Sequence, residues 1–406
     1  MQTPPRPLAC AAVAVPGILG RVLITETGDL AAFCKRLEGA PYVAVDTEFL
    51  REKTYWPKLC LVQIAYKDEA AAIDPLAAEI DLGPLFDLMD DQRVLKVFHS
   101  ASQDMEVFFS VSGRVPLPIF DTQVAAMVAG YGEQVGYATL ASQIAGVTLD
   151  KSSQLTDWSL RPLSDRQIAY ALADVTHLCT IYEDLEDRLE ESGRSSWVSE
   201  EMEALTDLDS YRTDPRDAYR RVRIRRPSRK ALAILREVVA WREEAAQQRN
   251  LPRNWVVRDD ALVEIATHAP QTEAELSRVR GLRGNAAKGR DGRALLEAVR
   301  RALDTPKNEW PELPPRRPLI RGHETLVALL QTLLKLRCED HDVAPKLVAT
   351  RDELDRIATT DNPDLRPLKG WRRELFGEDA LALKAGRLGL TGGDGQVRVI
   401  RPGELE

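Results

Sequence analysis

Long apolar runs are missing from this 406-residue chain. No stretch approaches the roughly 18 uninterrupted apolar residues of a membrane-spanning helix, so a membrane partner is not expected. Cysteine is scarce: the five residues Cys10, Cys34, Cys60, Cys179 and Cys338 lie far apart, are odd in number and form no Cys-x-x-Cys pair. That usage excludes a disulfide framework and a thiolate zinc site, and it fits a reducing, cytoplasmic setting. Low-complexity tracts are absent too, and composition is that of an ordinary globular protein. The one candidate targeting segment, Leu8-Ala-Cys-Ala-Ala-Val-Ala-Val-Pro16, is short and has only Arg6 before it. Residues 1–20 are therefore read as a disordered extension.

What is present is length for two or three domains and a strong charge asymmetry. Residues 1–218 hold 18 Lys and Arg against 35 Asp and Glu, a net of −17, whereas residues 219–310 hold 21 against 12, a net of +9. Residues 311–406 balance at 16 against 16. An acidic first half is a poor surface for a polyanion unless metals or local arginines intervene. The middle block suits phosphate.

From 21 to 191 the pattern alternates strands with helices. Strands are expected at Val22–Ile24, Tyr42–Val45, Leu59–Tyr66, Ala71–Ile73 and Val94–Phe98. Helices are expected at Leu30–Leu37, Leu82–Met89, Asp104–Val111, Thr122–Ala129 and Ser164–Leu189. The Lys67-Asp-Glu turn between two strands predicts an antiparallel hairpin and hence a mixed sheet. An acidic helical connector and a basic hinge follow over 192–226. A helical module is expected over 227–305, with Trp241, Leu262, Ile265, Leu276, Leu295 and Val299 in its core. A proline-rich linker at 306–318, a second helical module at 319–388 and a glycine-containing tail at 389–406 complete the chain. Leu262-Val-Glu-Ile-Ala-Thr267 recurs 92 residues later as Leu354-Asp-Arg-Ile-Ala-Thr359, which points to duplicated modules.

Five residues carry the chemistry. Asp46 and Glu48 sit in the apolar strand Tyr42-Val-Ala-Val-Asp46-Thr-Glu48-Phe-Leu50, two apart and so on one face. Asp104 opens a helix after His99-Ser-Ala-Ser-Gln103. Tyr170 and Asp174 lie four apart on another helix and share its face. Each has an ordinary reading by itself, as a solvated strand end or a first-turn acid. Four carboxylates on apolar elements are expensive together unless something cationic compensates them. Oxygen-only ligands favour Mg²⁺ or Mn²⁺ over zinc.

The order and spacing resemble the DEDD superfamily of 3′→5′ exonucleases in its tyrosine-bearing branch. Within that group they resemble the ribonuclease D family. Asp46-Thr-Glu-Phe-Leu-Arg-Glu-Lys-Thr-Tyr-Trp-Pro-Lys-Leu-Cys-Leu-Val-Gln63, Phe120-Asp-Thr-Gln-Val-Ala-Ala126 and Asp157-Trp-Ser-Leu-Arg-Pro-Leu-Ser164 carry the likeness. It covers about residues 22–190, followed by helical modules similar to HRDC domains. The resemblance implies a ribonuclease H-like mixed α/β exonuclease domain over 21–191, then two all-α HRDC-like domains. It also implies a two-ion hydrolysis, with Asp46 bridging both metals, Glu48 and Asp174 completing one site, Asp104 holding the second through water, and Tyr170 orienting the attacking water. The products would be 5′-mononucleotides. The substrates would be RNAs with a free 3′ end, such as tRNA precursors, and the enzyme a monomer. A DNA exonuclease of the same superfamily and a catalytically silent RNA-binding scaffold are the rival readings.

Around this set, Trp56, Gln63, His99 and Arg161 are candidate substrate contacts. Asp121 reads as a helix N-cap. Arg221, Arg223, Arg225 and Arg226 near the hinge, with Arg283 and Lys288 in a glycine-punctuated turn, are candidate phosphate contacts. Deleting 219–406 is expected to weaken binding of structured RNA while sparing short oligonucleotides.

Overall fold

The computed structural model describes residues 23–401, apart from 155, 283–286, 314–321 and 362. The extension expected over 1–20 and the candidate Arg283 lie outside the described residues. Among those residues, no helix is long and apolar enough to cross a membrane.

Six strands form the central sheet: β1 (Leu23–Ile24), β2 (Tyr42–Leu50), β3 (Lys58–Tyr66), β4 (Glu69–Ile73), β5 (Leu95–Phe98) and β6 (Ile119–Asp121). Their order is β1-β4-β3-β2-β5-β6, with β3 antiparallel to both neighbours and β2 parallel to β5. The sheet is therefore mixed, as the turn at Lys67 (φ 51°) predicts. Both faces of β2 are covered, which is why its first half reads as an unbroken apolar run. Tyr42 and Ala44 join one core with Leu61, Ala65 and Ala72, whereas Val43 and Val45 join another with Phe33, Leu37 and Phe108.

The first of these cores is sealed by α6 (Asp165–Glu191), a helix of 27 residues. Ser164 starts it with a reciprocal cap: its hydroxyl accepts from the Gln167 amide while the Gln167 side chain accepts from the Ser164 amide. Ile168, Ala171, Leu172, Val175, Leu178 and Tyr182 recur at helical spacing and bury against the sheet. On the other face lie α1 (Thr27–Leu37), α2 (Gly83–Asp90), α3 (Ser102–Ser112) and α4 (Thr122–Val128). Strand β6 and α5 (Tyr137–Ile144) were not expected, being too short to show a period of their own.

Three expectations about domain organisation need correction. The acidic connector contains α7 (Ser195–Thr206), whose Val198 and Met202 are buried in the core of the first domain. The second module is not separate either. Its helices α13 (His323–Asp340), α14 (Pro345–Val348) and α15 (Arg351–Thr359) bury Leu330, Leu347 and Ile357 in the same continuous core. Trp371 stacks on Trp197 with centroids 4.3 Å apart, and the Ala344 amide donates to the Met127 carbonyl at 3.1 Å. Arg372, buried at the junction, pairs with Glu200 (3.2 Å) and Glu201 and donates to the Leu347 carbonyl at 2.8 Å. Third, the segment expected as a tail contains a hairpin, Gly389–Gly393 against Gln396–Ile400. Asp394 and Gly395 both have positive φ at its turn, as a two-residue hairpin requires.

The first helical module keeps a core of its own. Its helices are α8 (Arg229–Arg249), α9 (Arg253–Val256), α10 (Asp259–His268), α11 (Glu273–Leu276) and α12 (Arg290–Asp304). Leu262, Ile265, Leu276, Leu295 and Val299 are buried there, and Trp241 sits at its rim. The linker's first residues dock on α8, where Arg229 donates to the carbonyls of Trp310 (2.8 Å) and Pro311 (3.4 Å). The sequence echo is also a backbone echo. Val257 and Ala349 are both extended (φ −151° and −152°) between a one-turn helix and the repeated helix.

Because α13–α15 complete the first domain's core, deleting 219–406 would expose apolar surface of that domain, which argues against the remainder keeping its activity. Arg372→Ala, which leaves Glu201 facing a buried gap, should cost about 3–5 kcal/mol in denaturant unfolding. The first domain and the second module should melt together in that variant. Two separated transitions would show independent cores.

Candidate active site

Strand β5 flanks β2 only along Tyr42–Ala44, so the second half of β2 has an open edge beside β5's end. The turn at Ser100 and Ala101 fills that space. Asp121 fixes it, accepting from the amides of Ser100 (3.0 Å), Ala101 (2.8 Å) and Gln123 (2.8 Å). One carboxylate thus caps α4, as expected, and sets where α3 begins.

Asp46 and Glu48 face α6, where Tyr170 and Asp174 occupy one side of the helix. Carboxylate oxygens of Asp46, Glu48 and Asp174 all come within 4.8 Å of one another. Asp104 arrives from α3 on the opposite side and lies outside that trio. It is buried and accepts from the Thr47 hydroxyl at 2.5 Å. Strand alternation points Thr47 away from its acidic neighbours, which lets one strand address both helices. Thr47 was not singled out from the sequence, although its place between two acids was the available signal.

The electrostatics are strongly unfavourable in the absence of a cation. Burial pushes Asp46 up to about 7. Burial and then the charges of Asp46, Asp174 and Asp104 push Glu48 up to about 9. Burial and then Asp46 push Asp174 up to about 8, and the same two causes hold Asp104 well above the carboxylate range. Among the described residues, the charges that shift these groups are those of other acids. The Tyr170 phenol is raised by burial, then by Asp174 and Glu48, and hydrogen-bonds to Asp174.

Buried polar atoms without a protein partner ring the cluster: both amide atoms of Gln63, Nε2 of His99 and Nε1 of Trp158. Gln63 pairs with Asp46 across the ladder, and Trp158 lies 6.1 Å from Tyr170. His99 is held through Nδ1 by the Thr122 hydroxyl at 3.0 Å, and burial lowers its pKa. Its ring lies 5.6 Å from Tyr137, a residue missed in the sequence, whose hydroxyl donates to the Ala173 carbonyl beside Asp174. Orphaned polar atoms around hard oxygen donors fit a hydrated divalent ion far better than an apolar ligand. Asp46, Glu48 and Asp174 would hold it.

Arg161 does not serve as a phosphate contact. Its guanidinium clamps Asp74 with two 2.6 Å bonds and also donates to the carbonyls of Cys60, Trp158 and Leu160, so its donors are spent on holding a turn. Trp56 is 38% exposed. Arg221, Arg223, Arg225, Arg226 and Lys288 are exposed as well, whereas Arg220 pairs with Asp217.

Comparison with known proteins adds the family context. A 3′-5′ exonuclease family matches residues 22–190, and the HRDC domain matches residues 231–299. Ribonuclease D of Granulibacter bethesdensis is 50% identical over 382 residues, which cover 94% of this chain and 97% of the relative. Ribonuclease D of Gluconacetobacter diazotrophicus is 50% identical over 374 residues, covering 92% and 95%. The crystal structure of Escherichia coli RNase D, an exoribonuclease involved in structured RNA processing, matches with a TM-score of 0.80 at 32% identity. That match covers 91% of this chain and 99% of the other.

Carboxyls raised in the folded state retain protons that the unfolded chain has released, so stability falls as pH climbs from about 4 through the folded values. In chelator, the melting temperature should therefore decline between pH 5 and pH 9. Asp46→Asn should flatten that decline and raise the pH 9 value, while abolishing the gain given by Mg²⁺ or Mn²⁺. A flat profile in the unsubstituted protein would show that the cluster carries no such strain.

Proposed function

The chain belongs to the ribonuclease D family, and we propose on that footing that it trims the 3′ ends of tRNA precursors and other small structured RNAs. It is a hydrolytic 3′→5′ exoribonuclease. The finer reading is release of 5′-mononucleotides, one at a time, with two Mg²⁺ or Mn²⁺ ions at the carboxylates. One observation carries it: three carboxylates within 4.8 Å, supplied by β2 and α6 and raised by burial and by one another.

Divalent ions bound there would supply positive charge to the scissile phosphate and lower the pKa of the attacking water. Asp46, whose charge acts on Glu48, Asp174 and Asp104 alike, would be shared between the ions. Glu48 and Asp174 would help hold one ion, and Asp104, outside the trio, would help hold the other. Burial and the neighbouring acids raise the Tyr170 phenol, and its bond to Asp174 sets its direction. Its hydroxyl would orient the attacking water. Thr47 and Asp121 keep Asp104 and its helix in place.

At a net of −17 over residues 1–218 the first domain is a poor surface for a polyanion, so recruitment falls to the +9 block. Its exposed Arg221, Arg223, Arg225, Arg226 and Lys288 are the proposed phosphate contacts. The enzyme is proposed to act as a monomer in the cytoplasm.

The decisive assay follows 5′-labelled RNA with a single-stranded 3′ tail in Mg²⁺ or Mn²⁺. Stepwise shortening with mononucleotide release is expected from a 3′-hydroxyl end, and chelator should stop it. Asp46→Asn and Asp174→Asn should each lower kcat/KM roughly a thousandfold, the scale of losing a group that acts in the transition state. A strong preference for single-stranded DNA would shift the reading to a DNA exonuclease. No nucleotide release at all would leave a binding scaffold.

A further inference from the structure

The loop joining β2 to β3 (residues 51–57) leaves the sheet two residues after Glu48, roughly 7 Å along an extended chain. Its far end is gripped by the first helical module. Asn250, at the C-terminus of α8, accepts the amides of Tyr55 and Trp56 with one side-chain oxygen, both at 3.1 Å. The Tyr55 hydroxyl donates to Glu243 and accepts from Gln247 (3.1 Å) and Arg253 (3.0 Å), which fills its hydrogen-bonding capacity. Arg253 chelates Glu243 at 2.6–2.9 Å and lies over the Tyr55 ring at 4.6 Å. Glu243 has no exposed surface at all. Burial works to raise its carboxyl, yet the bonds from Arg253 and Tyr55 hold it below the usual range. The whole latch ends on Trp56, which packs edge-on against Tyr55 at 4.7 Å and leaves its indole facing solvent.

Two features distinguish this latch from a simple weld between modules. Asn250 adopts a left-handed conformation (φ 47°, ψ 50°) that glycine would fill at lower cost. What asparagine adds there is the oxygen that fixes the Trp56 backbone. A weld also needs only Tyr55, which already anchors the loop through its ring and hydroxyl, whereas the second amide bond acts on Trp56 alone.

We propose that the corner between α8 and α9 is a positioning element of the nuclease site, with Asn250 and Tyr55 holding Trp56 as a stacking platform for a base of the incoming RNA strand. Trp56 is the group that touches substrate. Asn250 acts through it. The first helical module then sets the grip on strands too short to reach its basic face. This rests on the exoribonuclease reading.

Full-length variants test it on a single-stranded tetraribonucleotide with a 3′-hydroxyl. Asn250→Gly keeps the left-handed backbone and removes only the acceptor. It should raise KM about tenfold, the scale of one base–aromatic stack, with kcat within about twofold and an unchanged melting temperature. Asn250→Asp, which keeps an acceptor oxygen, should restore KM. Trp56→Ala should reproduce the loss and Trp56→Phe retain most of the grip. The double variant Asn250→Gly/Trp56→Ala should be no worse than Trp56→Ala alone. An unchanged KM in Asn250→Gly, or two losses that multiply, would overturn the proposal while the unsubstituted enzyme remains active. An unsubstituted enzyme that releases no nucleotides would instead overturn the exoribonuclease reading.

Discussion

Like-charge repulsion among Asp46, Glu48 and Asp174 is the constraint around which the first domain is organised. Carboxylates held within 4.8 Å in a half-buried site would separate or stay protonated unless their backbones were fixed. Two of them stand on one strand, where β3 pairs with every residue from Ala44 onward. The third stands on a helix pinned to the sheet by successive apolar turns from Ile168 to Tyr182. Separation would require lifting α6 from the sheet and exposing that core. The strain is therefore retained, and a divalent cation relieves it. Asp104 is handled differently. It stands on α3 outside the trio, fixed by the Thr47 hydroxyl, yet close enough for its charge and that of Asp46 to act on each other.

The same constraint explains the division of charge along the chain. A domain at −17 cannot gather a polyanion by itself, so contact with the strand away from the reacting phosphate must come from elsewhere. The basic block is its proposed source, but not as a tethered accessory. Its core is its own, yet its α8 reaches the loop that extends from the acid-bearing strand and holds it with a buried charged pair. The second helical module differs in kind. It is electroneutral and merges with the first domain's core through Trp371, Arg372 and Leu347, so its part is to pack.

Much of this was legible in the sequence because it depends on local spacing. The i, i+2 acids on a strand, the i, i+4 pair on a helix, the Lys67 turn and the Asp121 cap each follow from periodicity or capping. What escaped needed partners distant in the chain. Arg161 reads as a phosphate contact until Asp74, 87 residues away, is seen to occupy it. Tyr55 reads as a loop aromatic until Glu243 is placed beneath it. Helix α7 reads as an acidic connector because its charged residues are all glutamates, although Trp197, Val198, Glu201, Met202 and Leu205 recur at helical spacing and are buried or half-buried. The hairpin near the end was within reach, since Asp394-Gly395 is a strong turn signal. It was overlooked because its flanks are rich in glycine.

The unequal attachment of the two helical modules has a thermodynamic consequence. A ligand that binds only the folded form stabilises every element that unfolds with its site. Cation binding at the trio therefore extends its stabilisation through the shared core to α13–α15, which cannot open without exposing Leu330 or Ile357. The first helical module is reached chiefly through polar bonds at Tyr55 and Asn250, and it retains an apolar core when those bonds break. Its lower limit of stability is set by that core, independent of the metal. The latch thus joins a module with a core of its own to the loop that extends from the acid-bearing strand. A polar, fully satisfied contact suits that place, because it fixes geometry closely while contributing little to the cooperativity that an apolar interface would impose.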